Sequence, residues 1–269
     1  MSQSLVLVGC GKMGGALLSG WLARGAAPET VTVVEPFETA AIASRYGVAA
    51  VAGAAALDPD IAPVVVVFAV KPQAMDAVVP EYRRFAAPDT VFLSIAAGRP
   101  IRYFERNLGN GAAVVRSMPN TPASVGRGIT VACANSAVSA GQRDRCHALL
   151  EAVGEVAWVD DEALLDPVTA VSGSGPAYVF LLIECLAEAG VEAGLDASLA
   201  ARLARATVIG SGELARLAEE PAARLRENVT SPGGTTAAAL EVLMGADGLQ
   251  PLMTRAVAAA TRRSRELAG

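Results

Sequence analysis

The chain has 269 residues, 52% of them hydrophobic and 18% charged, and carries a net charge of −5 from 22 basic and 27 acidic side chains. That length accommodates one large or two modest domains, and the composition is that of a compact globular protein without disordered tracts. An acidic balance excludes the basic face that nucleic acid requires, and no apolar run reaches membrane-spanning length, the stretch 62–70 being far too short.

The opening residues, Met1-Ser2-Gln3-Ser4, lead straight into a strand with no basic segment before them, so a cytoplasmic protein is expected. Residues 4–9 read as a short buried parallel strand. They run into Gly9-Cys10-Gly11-Lys12-Met13-Gly14 and a helix over 13–24. This is G-x-G-x-x-G in its required setting, between a strand and a helix. Gly9 permits the tight turn, Gly11 lets the backbone approach a pyrophosphate, and Gly14 lets the helix pack on the strand. Cys10, Lys12 and Met13 fill the variable positions of this cofactor-binding loop. Cys10 also stands at a helix N-terminus, a place that can lower a thiol pKa.

A strand over 30–35 ends in Glu35, where a carboxylate binds the adenine-ribose 2′-hydroxyl and repels a 2′-phosphate. Glu35 therefore favours NADH, or use of both coenzymes; the alternative is that Glu35 turns to solvent and Arg45 helps hold the phosphate. Helices are expected at 37–46, 73–86, 100–107 and 139–152, and strands at 64–70, 90–95, 112–117, 128–133 and 155–159. The alternation predicts a doubly wound parallel sheet. The last two strands extend its edge, in either direction. Ala69-Val70-Lys71-Pro72, Ser94-Ile-Ala96-Ala97-Gly98 and Met118-Pro-Asn120-Thr121-Pro122 fall at carboxyl ends of strands, where such sheets bind ligands. Lys71 alone reads as a cap or a phosphate contact.

From Asp166 onward the pattern is helical, with segments at 176–193, 196–218, 220–227, 233–244 and 247–267. Domains are thus expected at 1–165 and 166–269. The run 176–187 is apolar on nearly every face, as for a helix buried in its own domain or in a dimer core. Ser172-Gly-Ser174-Gly-Pro176-Ala-Tyr178 is a glycine-serine helix start. Asn228-Val-Thr-Ser231-Pro-Gly233-Gly234-Thr235-Thr236 is another, with Ser231 expected as N-cap and Pro232 as the first helical residue. The free N–H groups there and the helix dipole favour an anion such as a carboxylate. Four cysteines without metal spacing and a single histidine, His147, give no metal site and nearly exclude histidine-based catalysis.

Taken together, the N-terminal glycine loop, Ala69–Pro72, Ser94–Gly98, Met118–Pro122, Val171–Tyr178 and Thr230–Leu240 resemble the pyrroline-5-carboxylate reductases over nearly the whole chain. The resemblance implies a Rossmann-type domain followed by an all-α dimerisation domain, and a homodimer through that domain, often assembled further. It implies hydride transfer from NADPH or NADH to the C=N bond of a small cyclic substrate. It places Ala69–Pro72, Ala96 and Ala97 along the dinucleotide, Asn120 and Thr121 near the nicotinamide, and Asn228 on the cofactor from the partner subunit. It puts the Ser172–Tyr178 helix start, with Ser174 and Pro176, beside the nicotinamide and the substrate ring. Thr236 hydrogen-bonds the ring nitrogen, while Ser231, Gly233, Gly234 and Thr235 hold the carboxylate. Many relatives carry a small hydroxyl residue at position 35, so Glu35 departs from the pattern. A β-hydroxyacid dehydrogenase would share the fold but needs a lysine in its helical domain, and the only lysines are Lys12 and Lys71. A nucleotide sensor would have no need of a carboxylate anchor.

Overall fold

A computed structural model describes residues 4–268, so the expectation for Met1–Gln3 lies outside the described residues. Contacts divide the chain into two compact units. One holds the N-terminal residues through Gly173 together with the segment from Ala260 onward, and the other runs from Ser174 to Ala259. The division falls at Gly173/Ser174, inside a continuous helical stretch.

The first unit is built on an eight-stranded sheet in the order β3-β2-β1-β4-β5-β6-β7-β8. The strands are β1 (Ser4–Val8), β2 (Val31–Val34), β3 (Ala49–Val51), β4 (Pro63–Phe68), β5 (Val91–Ser94), β6 (Ala113–Met118), β7 (Gly128–Ala134) and β8 (Gly154–Trp158). All neighbours are parallel except β6 and β7. The helices between them are α1 (Lys12–Ala23), α2 (Thr39–Tyr46), α3 (Met75–Val78), α4 (Ile101–Leu108) and α5 (Ala140–Glu151).

Alternation along each strand explains the continuous valine runs. Val6, Val8, Val66, Phe68, Phe92 and Val114 face one core with Tyr82 and Phe104. Leu5, Leu7, Val65, Val67, Leu93 and Val115 face the other, against Leu17, Leu18 and Trp21 of α1 and Cys146 and Leu150 of α5. Helices cover both faces, so the central strands are apolar on both sides along most of their length.

Two expectations are corrected here. The helix over 73–86 is instead a 3₁₀ turn at Pro72–Ala74, the single turn α3, and a 3₁₀ segment at Val79–Phe85. Pro80 lacks an N–H and crowds the carbonyl one turn back, so a regular α-helix cannot run through it. Strand β3 was not anticipated, because Ala49-Ala50-Val51 is short and mostly alanine.

At the end of the first unit come α6 (Leu165–Val168) and a π-helical turn at Thr169–Gly173. The second unit contains α7 (Gly175–Glu192), α8 (Ala197–Leu217), α9 (Ala222–Asn228), α10 (Thr235–Leu243) and most of α11 (Leu249–Ala268). Asp196 caps α8 by accepting the N–H groups of Ser198 and Leu199 at 2.9 and 3.2 Å. The small residues Ala200 and Ala204 are its buried positions, where α8 packs on α7. The expected burial of 176–187 is not met within one chain, for α7 has no buried residue and Phe180 and Leu181 are 59% and 56% exposed. The last turns of α11 belong to the first unit, where Ser264 donates a 2.6 Å hydrogen bond to Asp166.

Candidate active site

The strand order reverses between β1 and β4, and an open α/β sheet binds its ligand in the crevice at that point. The loop leaving β1 shows why its glycines stand where they do. Gly9 adopts φ +93°, and a Cβ on it would lie 2.9 Å from the Ala69 carbonyl. Gly14 is pressed against the Gly9 carbonyl oxygen. Gly11, by contrast, has nothing within 4 Å of where its Cβ would be. That open space over the N-terminus of α1 is what a pyrophosphate needs.

Glu35, one residue beyond β2, turns its carboxylate into the loop and accepts the Cys10 N–H at 3.0 Å. A cavity of about 510 Å³ brings Gly9, Gly11, Glu35, Ala69, Val70 and Lys71 together. The size suits a nucleoside. Its wall also includes Phe37, Gly53, Val78 and Tyr82, which sequence reasoning missed. A large apolar residue, Phe37, directly after Glu35-Pro36 was the signal available in the sequence, and in the structure it is 89% exposed. Lys12 and Arg45 line a second hollow of about 670 Å³ on the other side of the loop, with Arg45 stacked 5.0 Å over Tyr46.

A helix N-terminus can lower a thiol pKa, but at Cys10 the shift is upward. Burial raises it first, and the negative charge of Glu35 adds to that, against a partial lowering by Arg45. The thiol is held neutral and is not an activated nucleophile. Met13 packs against the core around α1. Lys71 opens the 3₁₀ turn at Pro72, its carbonyl accepting the Ala74 N–H at 2.9 Å. Ala96 is buried beside Ala97 after β5. Asn120 and Thr121 follow β6, outside the 510 Å³ cavity, and the Asn120 amide is engaged by protein groups on both sides.

In the second unit, the helix start expected at Ser231 moves to Thr235. Gly233 takes φ +67°, and the Gly234 N–H donates to the Ser231 carbonyl at 3.0 Å. Pro232 and Gly233 therefore occupy the corners of a type II turn rather than the first turn of a helix. Gly234 is the N-cap in extended geometry, with no side-chain cap. The first bond of α10 is Ala238 N–H to the Gly234 carbonyl. The N–H groups of Thr235, Thr236 and Ala237 thus have no intrahelical acceptor. Ser174 and Pro176 open α7, and Asn228 ends α9.

A pyrroline-5-carboxylate reductase of Pseudomonas aeruginosa is 41% identical over 98% of this chain and 96% of its own length. The chain belongs to the pyrroline-5-carboxylate reductase family. Residues 162–267 match the family model for pyrroline-5-carboxylate reductase dimerisation, and residues 4–98 match the model for NADP oxidoreductase, coenzyme F420-dependent. The structure of a pyrroline-5-carboxylate reductase from Coxiella burnetii superposes with a TM-score of 0.92 at 34% identity, covering 100% of both chains. The Plasmodium falciparum pyrroline carboxylate reductase, solved with NADP bound, gives 0.82 at 29% identity over 99% of this chain and 98% of that one. A Rossmann-like unit followed by a helical dimerisation domain is thus the family's architecture, and the C-terminal domain is its surface for homo-oligomers.

Proposed function

We propose that this chain reduces Δ1-pyrroline-5-carboxylate to L-proline, the last step of proline biosynthesis. The observation that carries the reading is full-length similarity to reductases of that name, joined to a glycine loop whose middle glycine faces open space. NADPH or NADH, bound along the crevice, supplies a hydride. Gly11 leaves room for the pyrophosphate, and the α1 N-terminus faces its charge. Glu35, already fixed by the Cys10 N–H, accepts from an adenine-ribose hydroxyl, which favours NADH. Ala69–Pro72, Ala96, Ala97 and Thr121 line the remaining length, and Asn228 reaches the cofactor of the partner subunit.

The substrate carboxylate is held by Ser231, Gly233, Gly234 and Thr235 at the uncapped start of α10, with Ser174 and Pro176 against the ring. Thr236 hydrogen-bonds the ring nitrogen. The new C–H bond forms at the imine carbon as the C=N π bond opens, and the proton carried by the iminium stays on nitrogen. A protonated imine accepts hydride readily, so positioning rather than a strong acid is what the protein must supply. This agrees with a chain holding one histidine, which sits on α5 and accepts a 3.2 Å hydrogen bond from Trp158.

The expectation that no apolar run reaches membrane-spanning length is corrected at Glu162–Glu192, which is long and apolar enough, by length and composition, to cross a membrane. That stretch lies wholly within the family's dimerisation region, so its exposed apolar side chains are assigned to a homodimer, further assembled or not, of a cytoplasmic enzyme without membrane or nucleic-acid partners. The test is loss of nicotinamide absorbance from NADH and from NADPH with Δ1-pyrroline-5-carboxylate present. Turnover is expected with at least one coenzyme, faster with NADH; folded, oligomeric protein inert with both overturns the assignment.

A further inference from the structure

A third hollow, of about 300 Å³, opens in the first unit at the edge of the sheet opposite the coenzyme crevice. Leu5, Val31 and Val65 line it from the amino-terminal halves of β1, β2 and β4. Trp21 of α1 and Leu149 of α5 complete an apolar wall. The polar side chains of that wall are engaged, with one exception. Trp21 Nε1 donates to the Leu149 carbonyl at 2.8 Å, and Thr30 Oγ1 donates to the Ala27 carbonyl at 2.7 Å. Arg24 is paired with Glu151 at 3.2 Å, with both side chains half in solvent. Arg145 is the exception. It is half-buried on α5 and has no hydrogen-bond or ion-pair partner among the described residues.

We propose that this hollow is a second ligand site, for a small apolar monocarboxylate whose anion pairs with Arg145. The chemistry follows from what lacks a partner. One unpaired guanidinium beside an apolar wall calls for one anion, and a carboxylate matches its fork of donors. The other polar side chains of the wall are satisfied, so a second hydrogen-bonding group on the ligand would lose water and gain nothing. The volume stands at the small end for ligand sites, which limits the apolar body to one ring or a branched chain. The five residues of β1 span about 17 Å and separate this hollow from the crevice at the carboxyl ends of the strands. Its occupant therefore does not compete with coenzyme, and the site stands whatever reaction the crevice supports.

Fluorescence decides this, because the chain has two tryptophans and only Trp21 lines the hollow. In a Trp158→Phe chain, phenylacetate should change the Trp21 emission saturably, with a Kd of about 1 mM or below. Neutral phenylacetamide, of nearly the same shape, should bind about tenfold more weakly for want of the charge. Acetate, the anion without the apolar body, should give no saturable change. Arg145→Met should weaken phenylacetate about tenfold and leave phenylacetamide as it was. Saturating NAD+ or NADP+ should not displace phenylacetate. No saturable response to phenylacetate overturns the proposal, as does equal binding of phenylacetamide or undiminished binding of phenylacetate by Arg145→Met. Displacement by the oxidised coenzyme also overturns it, since the acid would then be in the crevice. Should Trp158→Phe fail to fold, saturation-transfer NMR on the unaltered chain and on Arg145→Met reads the same comparison.

Discussion

Gly11 and Gly14 differ in what an added methyl group would meet, and this separates binding from folding at two positions of one motif. Gly14→Ala drives a Cβ into the Gly9 carbonyl, so the loop or α1 must move. We expect a lower thermal midpoint, by the equivalent of about 1–3 kcal/mol. Gly11→Ala meets no protein atom and should melt with the unaltered chain, while losing coenzyme affinity because its methyl enters the pyrophosphate's space. Calorimetry and a fluorescence titration on both variants check the pair. Thr236→Ala should lower kcat/KM about 10- to 1000-fold with coenzyme affinity unchanged, which steady-state kinetics with each substrate varied would show. The glycine loop could be read from the sequence because its requirements are local and belong to the backbone. The commitment of Asn120 could not, since Ile129 and Ser172 meet it only through folding.

Among elements, α4 depends on a contact far away in sequence. Glu162 accepts the Ile101 N–H at the start of α4 at 2.8 Å and the guanidinium of Arg116 at 2.7 Å. The Arg116 side chain is 7% exposed. Glu162→Ala would leave that cation buried and unpaired and the first turn of α4 uncapped. We expect a loss of about 3 kcal/mol, measured by denaturant unfolding, and a smaller loss when Arg116→Met is added. Element type and order followed from periodicity, while the failures have particular causes. Ser231-Pro-Gly-Gly fits either a capped helix start or a type II turn, and the positive φ of Gly233 decided for the turn. Pro80 carries the signal for the break in 73–86, since it lacks the N–H that a continuous helix needs. The antiparallel pairing of β7 was left open because a strand's residues do not carry its direction.

For the whole molecule, the second unit is marked by what it leaves uncovered. Val179, Phe180, Leu181, Leu182 and Leu186 of α7 are all at least 44% exposed in the single chain, far more apolar surface than a stable monomer presents. Phe180→Glu places a charge on that face and should yield smaller particles by light scattering, with the sheet-bearing unit still folded by circular dichroism. An unchanged particle mass would show that subunits do not meet there.

The return of α11 to the first unit has a consequence for how the protein is made. The second unit interrupts the first rather than following it, and Asp166 waits for Ser264, 98 positions later. A ribosome delivers domains from the N-terminus, and each generally folds as it emerges. Here the nucleotide-binding unit is complete only after the dimerising helices have been synthesised. The part meant to bind coenzyme therefore matures last, when the surface that recruits a second subunit is already outside the exit tunnel.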